Sequence, residues 1–250
     1  VSTDEKPLIL SLETATRAGS IAITRGEALL ASSAGDAQVS QSTHLLEHLR
    51  GALDGAEVAL HEIDLFAVAT GPGSFTGLRI GLATVKSFAA TLVRACIGIP
   101  TLHAVAHAAG ESRCTVALLP AGRGEVFAQR LAVSSTGAVQ PLDAPTHQAP
   151  QSLLDKLATL RNLKWAGEGA HIFADAIKAR ALSEALAFQM ADSRVVISSD
   201  EEQWTLISSS NVLAVSVAKL ALGRARAGDN SLPQDIRAIY VRPSDAELNE

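Results

Sequence analysis

Aromatic residues are scarce in this 250-residue chain: six Phe, two Trp and one Tyr, or 4% of the total. A surface that grips RNA by stacking bases on rings needs more of them, so an extended base-stacking platform is excluded. Positive charge is also short. Twenty-one Lys and Arg face 26 Asp and Glu, giving a formal net charge of −5. Strong independent binding of nucleic acid calls for basic patches, and the sequence offers only the modest Arg224-Ala225-Arg226. The two cysteines, Cys96 and Cys114, lie in apolar surroundings and form no C-x-x-C. They read as small buried hydrophobes in a reducing compartment. No apolar run reaches membrane-spanning length. The first residues, Val1 to Lys6, are polar and include Asp4 and Glu5, which does not fit a signal peptide. The expectation is a soluble cytoplasmic protein with no membrane partner. Low-complexity tracts and solenoid-period repeats are absent as well. What remains is a globular composition, 47% hydrophobic and 19% charged, long enough for one large domain or two lobes.

The most informative stretch runs from Ala67 to Gly81. Asp64 to Thr70 is a short apolar run ending at turn chemistry, which predicts a buried strand. Gly71 and Gly73 permit backbone angles closed to other residues, and Pro72 sets the turn between them. Ser74 or Thr76 can cap the helix that follows. A strand, a glycine loop and a helix together can hold a phosphate, because free backbone N–H groups point outward there. The pattern is neither G-x-G-x-x-G nor a P-loop, however, and on chemistry alone a tight turn seating a helix on a sheet is the reading to prefer.

Pro7–Leu12, Ser20–Thr24 and Ala28–Ser33 read as three strands, the first followed by Glu13-Thr14-Ala15-Thr16. Thr14 and Thr16 either face a ligand or satisfy the backbone of their own turn. Ser40–Ala56 is an amphipathic helix with Leu45, Leu46, Leu49 and Leu53 on one face and His44 and His48 together on another. Four-residue histidine spacing can bind a metal, but a third ligand and a catalytic Glu are missing nearby, so these two read as exposed or interfacial. The helix Ser74–Val93 carries a core stripe of Phe75, Leu78, Leu82, Val85, Phe88 and Leu92. Beside it runs a stripe of small residues, Gly77, Gly81, Thr84, Ser87 and Thr91. Small residues allow another helix to approach closely, so this is a candidate helix–helix seam. Cys96–Leu102 reads as a short strand, and His103 and His107 as histidines at a helix start.

Further on, Thr115–Leu119 and Glu125–Val133 form a hairpin across Pro120–Gly124. Gly137–Pro150 is loop-like, Pro150–Leu160 and Ile172–Ala185 are helices, and Ser198–Ser210 is polar and irregular. Asn211–Ala227 is a helix capped by Asn211, with Gly228 just past its end. Pro233–Arg242 closes the fold as a strand. Neither a G-x-S-x-G elbow nor H-E-x-x-H is present, which argues against a protease.

The run Gly71-Pro-Gly-Ser-Phe-Thr-Gly-Leu-Arg-Ile-Gly81 resembles the signature of the TsaB (YeaZ) family, the tRNA threonylcarbamoyladenosine biosynthesis partner proteins. Weaker matches extend the resemblance from about Pro7 to Glu247: the hairpin around Ala121, Arg123, Glu125 and Val126, the turn Gly167-Glu168-Gly169-Ala170, and Tyr240-Val241-Arg242. The resemblance implies an α/β actin-like ATPase fold with two lobes, each a mixed sheet with flanking helices. The expected first lobe is 1–106 plus 211–228, and the second 107–210 plus 229–250. In that fold the first loop normally carries Asp and faces nucleotide phosphates, whereas here it carries Glu13. Catalytic TsaD proteins carry a metal-binding His-x-x-x-His whose positions would fall near Ala106 and Gly110, so His103 and His107 are displaced by about three residues.

The implied role is a non-catalytic scaffold that pairs with TsaD, together with the ATPase TsaE, for threonylcarbamoylation of tRNA adenosine 37. On this reading the chain holds no cofactor or metal of its own. ATP and metal belong to the partners, and tRNA is met only indirectly. Glu13, Thr14, Gly71 and Gly73 are the candidates for a residual nucleotide site. The expected partner surface, also available for a homodimer, comprises His44, Leu45, His48, Leu49, Gly77, Leu78, Gly81, Thr84 and Val85. The rival reading is an actin-like ATPase or carbamoyl transferase with its own nucleotide and metal site.

Overall fold

The computed structural model describes residues 6–35, 41–192, 202–208, 210, 212–229 and 231–241, with the backbone alone for 41–44. They fall into two units divided inside one helix: Val1–Ala104 with Asn211–Tyr240, and Val105–Ser210 with the C-terminal residues from Val241. The segment Asp229–Tyr240, expected in the second lobe, belongs to the first unit.

The first unit is built on β1 (Leu8–Glu13), β2 (Ser20–Arg25), β3 (Ala28–Ala34), β4 (Leu65–Ala69) and β5 (Ala95–Ile99). Their order in the sheet is β3-β2-β1-β4-β5. The first three strands are antiparallel, while β1, β4 and β5 run parallel. Parallel strands in the middle of a sheet are covered on both faces, which is why β1 and β4 are apolar almost throughout. Leu8, Leu10, Leu12, Phe66 and Val68 share a core with Leu45, Leu49 and Ala52 of α1 (Gln41–Ala56) and with Leu82, Val85 and Ala89 of α2 (Phe75–Leu92). Ile9, Leu65, Ala67 and Ile97 form a second core with Val217, Ala218, Ala221 and Leu222 of a helix from the far end of the chain. Helix α3 (Thr101–Ala108) occupies the ground where the expectation carried a strand on to Leu102.

The second unit repeats the plan. Its strands are β6 (Ser112–Gly122), β7 (Glu125–Val133), β8 (Val139–Pro141), β9 (Thr146–Gln148), β10 (Leu163–Ala166), β11 (Ala187–Ala191) and β12 (Gln203–Ile207). The order β11-β12-β10-β6-β7-β8 places an antiparallel hairpin beside parallel strands, with β9 also pairing β7. Helices α4 (Pro150–Leu157), α5 (Glu168–Ile172) and α6 (Ala174–Ser183) accompany this sheet. Trp165 and Trp204, ring centroids 5.0 Å apart, anchor its core. Returning to the first unit, α7 (Leu213–Arg226) supplies the second-face helix.

Several sequence expectations are corrected. Gln203–Ile207 is a buried strand, although the surrounding segment reads as polar and irregular. Its Gln203 and Thr205 are buried beside Trp204 between β10 and β11. The helix expected over Ile172–Ala185 is two helices meeting at Phe173. The loop-like stretch after Gly137 contains β8 and β9. The closing segment is not a strand: a single 3-10 turn, Pro233–Asp235, leads into an extended stretch. That stretch is held to the first sheet by the Ile239 N–H donating to Thr70 O at 2.7 Å. The proposed cap Asn211 lies outside the described residues.

Candidate functional site

Two loops meet where β1 and β4 end. Glu13, 1% exposed, closes the first of them. Its Oε1 accepts the N–H groups of Ala15 at 2.6 Å and Thr16 at 2.8 Å, and its Oε2 accepts the Thr16 hydroxyl at 2.7 Å. Both carboxylate oxygens are therefore engaged in shaping their own turn. Thr14, 2% exposed, donates from Oγ1 to Gly77 O at 2.7 Å. The Thr16 hydroxyl serves its own turn, also accepting the Gly19 N–H at 3.3 Å, while Thr14 reaches across to α2.

The second loop is built to receive it. Ser74, not Thr76, caps α2, its Oγ accepting the Gly77 N–H at 3.2 Å. The Ser74 N–H donates to Ala15 O at 2.7 Å. A Cβ at Gly73 would overlap Ala15 O, one at Gly77 would overlap Thr14 O, and one at Gly81 would overlap Thr14 Oγ1. Gly71 has a φ of +107°, which favours glycine. Its N–H donates to Thr101 Oγ1 at 3.0 Å, and its carbonyl accepts the Thr101 N–H at 2.8 Å. The Gly71–Pro72 bond is cis. The amides of Gly71, Ser74 and Gly77 thus have partners within the chain.

The expected partner-surface residues sort by burial. Leu45, Leu49, Leu78 and Val85 are core residues of their own unit, and Gly77 and Gly81 are packed under Thr14. The contacts these residues make here lie within their own unit. His48 and Thr84 are half-buried, and the side chain of His44 lies outside the described residues. The small-residue stripe that does face solvent is rotated by about one residue. It consists of Thr76, Ala83, Ser87, Ala90 and Thr91, with Arg79 exposed among them and Ile80 and Thr84 half-exposed. On α1 the large apolar side chain left outside is Leu46, 68% exposed.

His103 and His107 lie one turn apart on α3, both half-buried. Burial, aided by the Arg224 guanidinium, pushes His103 below its ordinary 6.5. Among the described residues no group of three or more His, Cys, Asp or Glu is placed to hold a metal ion. Sequence reasoning missed two participants altogether. Thr101, fully buried, has no local signal because its partner Gly71 is thirty residues away. The segment Ile236–Tyr240 lies along α2, where Lys86 Nζ donates to Ile236 O at 3.0 Å and the Tyr240 ring stands 5.3 Å from that of Phe75.

Two sheets, each joining an antiparallel hairpin to parallel strands, with a glycine loop pressed on the first strand's end, define an α/β protein of the actin-like ATPase fold. The TsaD family, tRNA N6-adenosine threonylcarbamoyltransferase, matches residues 35–232, and the chain belongs to it. Within that family it is similar to the tRNA threonylcarbamoyladenosine biosynthesis protein TsaB of Haemophilus influenzae, at 32% identity over 126 residues, 48% of this chain and 51% of that protein. It is also similar to the tRNA N6-adenosine threonylcarbamoyltransferase of Protochlamydia amoebophila, at 32% over 123 residues, 46% of this chain and 35% of that protein. The chain thus spans about half the length, or less, of the curated relatives it matches. Among solved structures, YeaZ from Pseudomonas aeruginosa overlays with a TM-score of 0.71 at 22% identity, covering 94% of this chain and 99% of that one. The activator of the 2-hydroxyisocaproyl-CoA dehydratase from Clostridium difficile, solved with bound ADPNP, gives 0.51 at 13%, covering 93% and 99%. These structural likenesses establish the fold, and the TsaB and YeaZ names bear out the resemblance carried by Gly71–Gly81. No helix among the described residues is long and apolar enough to cross a membrane.

Proposed function

We propose that the chain is a non-catalytic partner protein in the threonylcarbamoylation of tRNA adenosine 37, pairing with TsaD and working with TsaE. The observation that carries the reading is the engagement of Glu13. A buried carboxylate whose two oxygens accept three hydrogen bonds from its own turn is a structural group. The net charge of −5 supports indirect handling of tRNA, through a more basic partner. The partner surface in this proposal is the solvent face of α2, Thr76, Ala83, Ser87 and Ala90, with Leu46 of α1 beside it. Small side chains let a facing helix come close, and the same surface serves self-association when the chain is alone.

The test is light scattering with size exclusion on this protein alone and mixed with TsaD from the same source. A new one-to-one species, together with tRNA modification that neither protein performs alone, is the expected result. Failure to associate, combined with nucleotide hydrolysis by this chain by itself, would overturn the reading in favour of an enzyme with its own nucleotide site.

A further inference from the structure

At the N-terminal end of the α2 surface the chain assembles an aromatic and cationic cluster from two distant segments. The Arg79 guanidinium carbon lies 3.8 Å from the centroid of the Phe75 ring. The other side of the cluster is Tyr240, the one tyrosine of the chain, 50% exposed and with its ring 5.3 Å from Phe75. Tyr240 is held there by its neighbour, since the Ile239 N–H donates to Thr70 O at 2.7 Å. Among the described residues Arg79 forms no ion pair; its guanidinium rests against the Phe75 ring. Its seat over the ring restricts the guanidinium and leaves N–H donors available, which lowers the ordering cost of a charged contact. An exposed Tyr beside an oriented Arg is the composition found at the energetic centres of protein interfaces.

We propose that Phe75, Arg79 and Tyr240 form an anchor for a protein partner, in which a partner carboxylate pairs with Arg79 and an apolar partner side chain lies on Tyr240. Charge decides the class of ligand. A single unpaired guanidinium complements a single carboxylate, whereas a phosphodiester strand is held by several cations. This chain carries a net charge of −5 with no substantial basic cluster. The anchor is continuous with the exposed stripe of Thr76 and Ala83 on the same helix. The inference therefore deepens the pairing reading above and rests on it.

The experiment measures the affinity of the full chain for TsaD and for TsaE from the same source, at several salt concentrations, for wild type, Arg79→Gln, Arg79→Glu and Tyr240→Ala. Thermal unfolding of each variant runs alongside; Arg79 and Tyr240 are exposed, so the fold is expected to survive. At least one partner should bind Arg79→Glu and Tyr240→Ala more than about fivefold more weakly than wild type. Arg79→Gln should flatten the salt dependence of that affinity. Unchanged affinity and salt dependence for both partners would overturn the anchor while leaving pairing intact. If the wild type binds neither partner, the pairing reading falls and the anchor with it. A labelled single-stranded RNA supplies the last arm: loss of RNA binding in Arg79→Gln with partner affinity unchanged would overturn the proposal in favour of a nucleic-acid site.

Discussion

Thr14 and Gly77 are locked together twice, by the hydrogen bond from Thr14 Oγ1 to Gly77 O at 2.7 Å and by the absence of a side chain at Gly77, where a Cβ would overlap Thr14 O. The first turn of the chain and the start of α2 are thereby one packed object. A Gly77→Ala substitution meets backbone, which cannot rotate away. It should lower unfolding stability by about 1–3 kcal/mol, seen as a reduced urea midpoint. An unchanged midpoint would mean that the two segments separate readily.

Gly81 makes a different prediction from the same contact, because its added Cβ meets a side chain, the Thr14 hydroxyl. Thr14→Ala removes that obstacle. Gly81→Ala should therefore be destabilising alone and partly rescued in the double variant, with an interaction energy of about 0.5–3 kcal/mol in a mutant cycle. Gly77→Ala should show no such rescue. Additive effects at Gly81 would contradict the packing described here.

Glu13→Ala leaves the N–H groups of Ala15 and Thr16 and the Thr16 hydroxyl without their acceptor. Unpaired buried donors are costly, and a loss of about 3 kcal/mol or more is expected. Glu13→Gln keeps an acceptor oxygen and should cost about 1–2 kcal/mol. Nucleotide affinity measured by calorimetry should respond to neither change. A strong gain or loss would return Glu13 to a ligand-facing role.

Lys164 gives the pH prediction. It is 2% exposed and donates from Nζ to Glu111 O at 2.7 Å and Ala109 O at 3.3 Å. Burial pushes its ammonium below the ordinary 10.5. Between the lowered folded value and 10.5 the unfolded chain binds more protons than the folded one. Stability relative to a Lys164→Met variant should therefore rise with pH through that window and be flat below it. Urea midpoints of both proteins across the alkaline range provide the check; parallel curves would mean that the folded lysine titrates normally.

Ala83→Glu and Ser87→Arg alter exposed positions on α2. Each should change stability by no more than about 0.5 kcal/mol, yet weaken pairing with TsaD by about thirtyfold or more. Light scattering reads the second effect and thermal unfolding the first. Normal pairing in both variants would place the partner surface elsewhere.

Much of the plan could be read locally. The apolar run before Thr70, the glycines after it and Ser74 at a helix start are short-range chemistry, and they yield β4, its loop and a helix capped by Ser74. The hairpin at Pro120–Gly124 is legible for the same reason. The strand Gln203–Ile207 was not, because alternating polar residues look exposed until neighbouring strands cover both of its edges.

The same division runs through the site. Sequence by itself determined that α2 carries an apolar face and an adjoining row of small residues, since helical periodicity needs only local spacing. Which small residues look inward was decided by the tertiary structure. Neighbouring positions on a helix differ by about 100°, and only the arrival of Thr14, far away in the chain, puts Gly77 and Gly81 inside and leaves Ala83 and Ser87 outside. The hydrogen bonding of Glu13 was decided in the same way. An acid followed by Thr and Ala suits a ligand loop or a self-bonded turn, and the choice depends on where the carboxylate points once β1 is enclosed in its sheet.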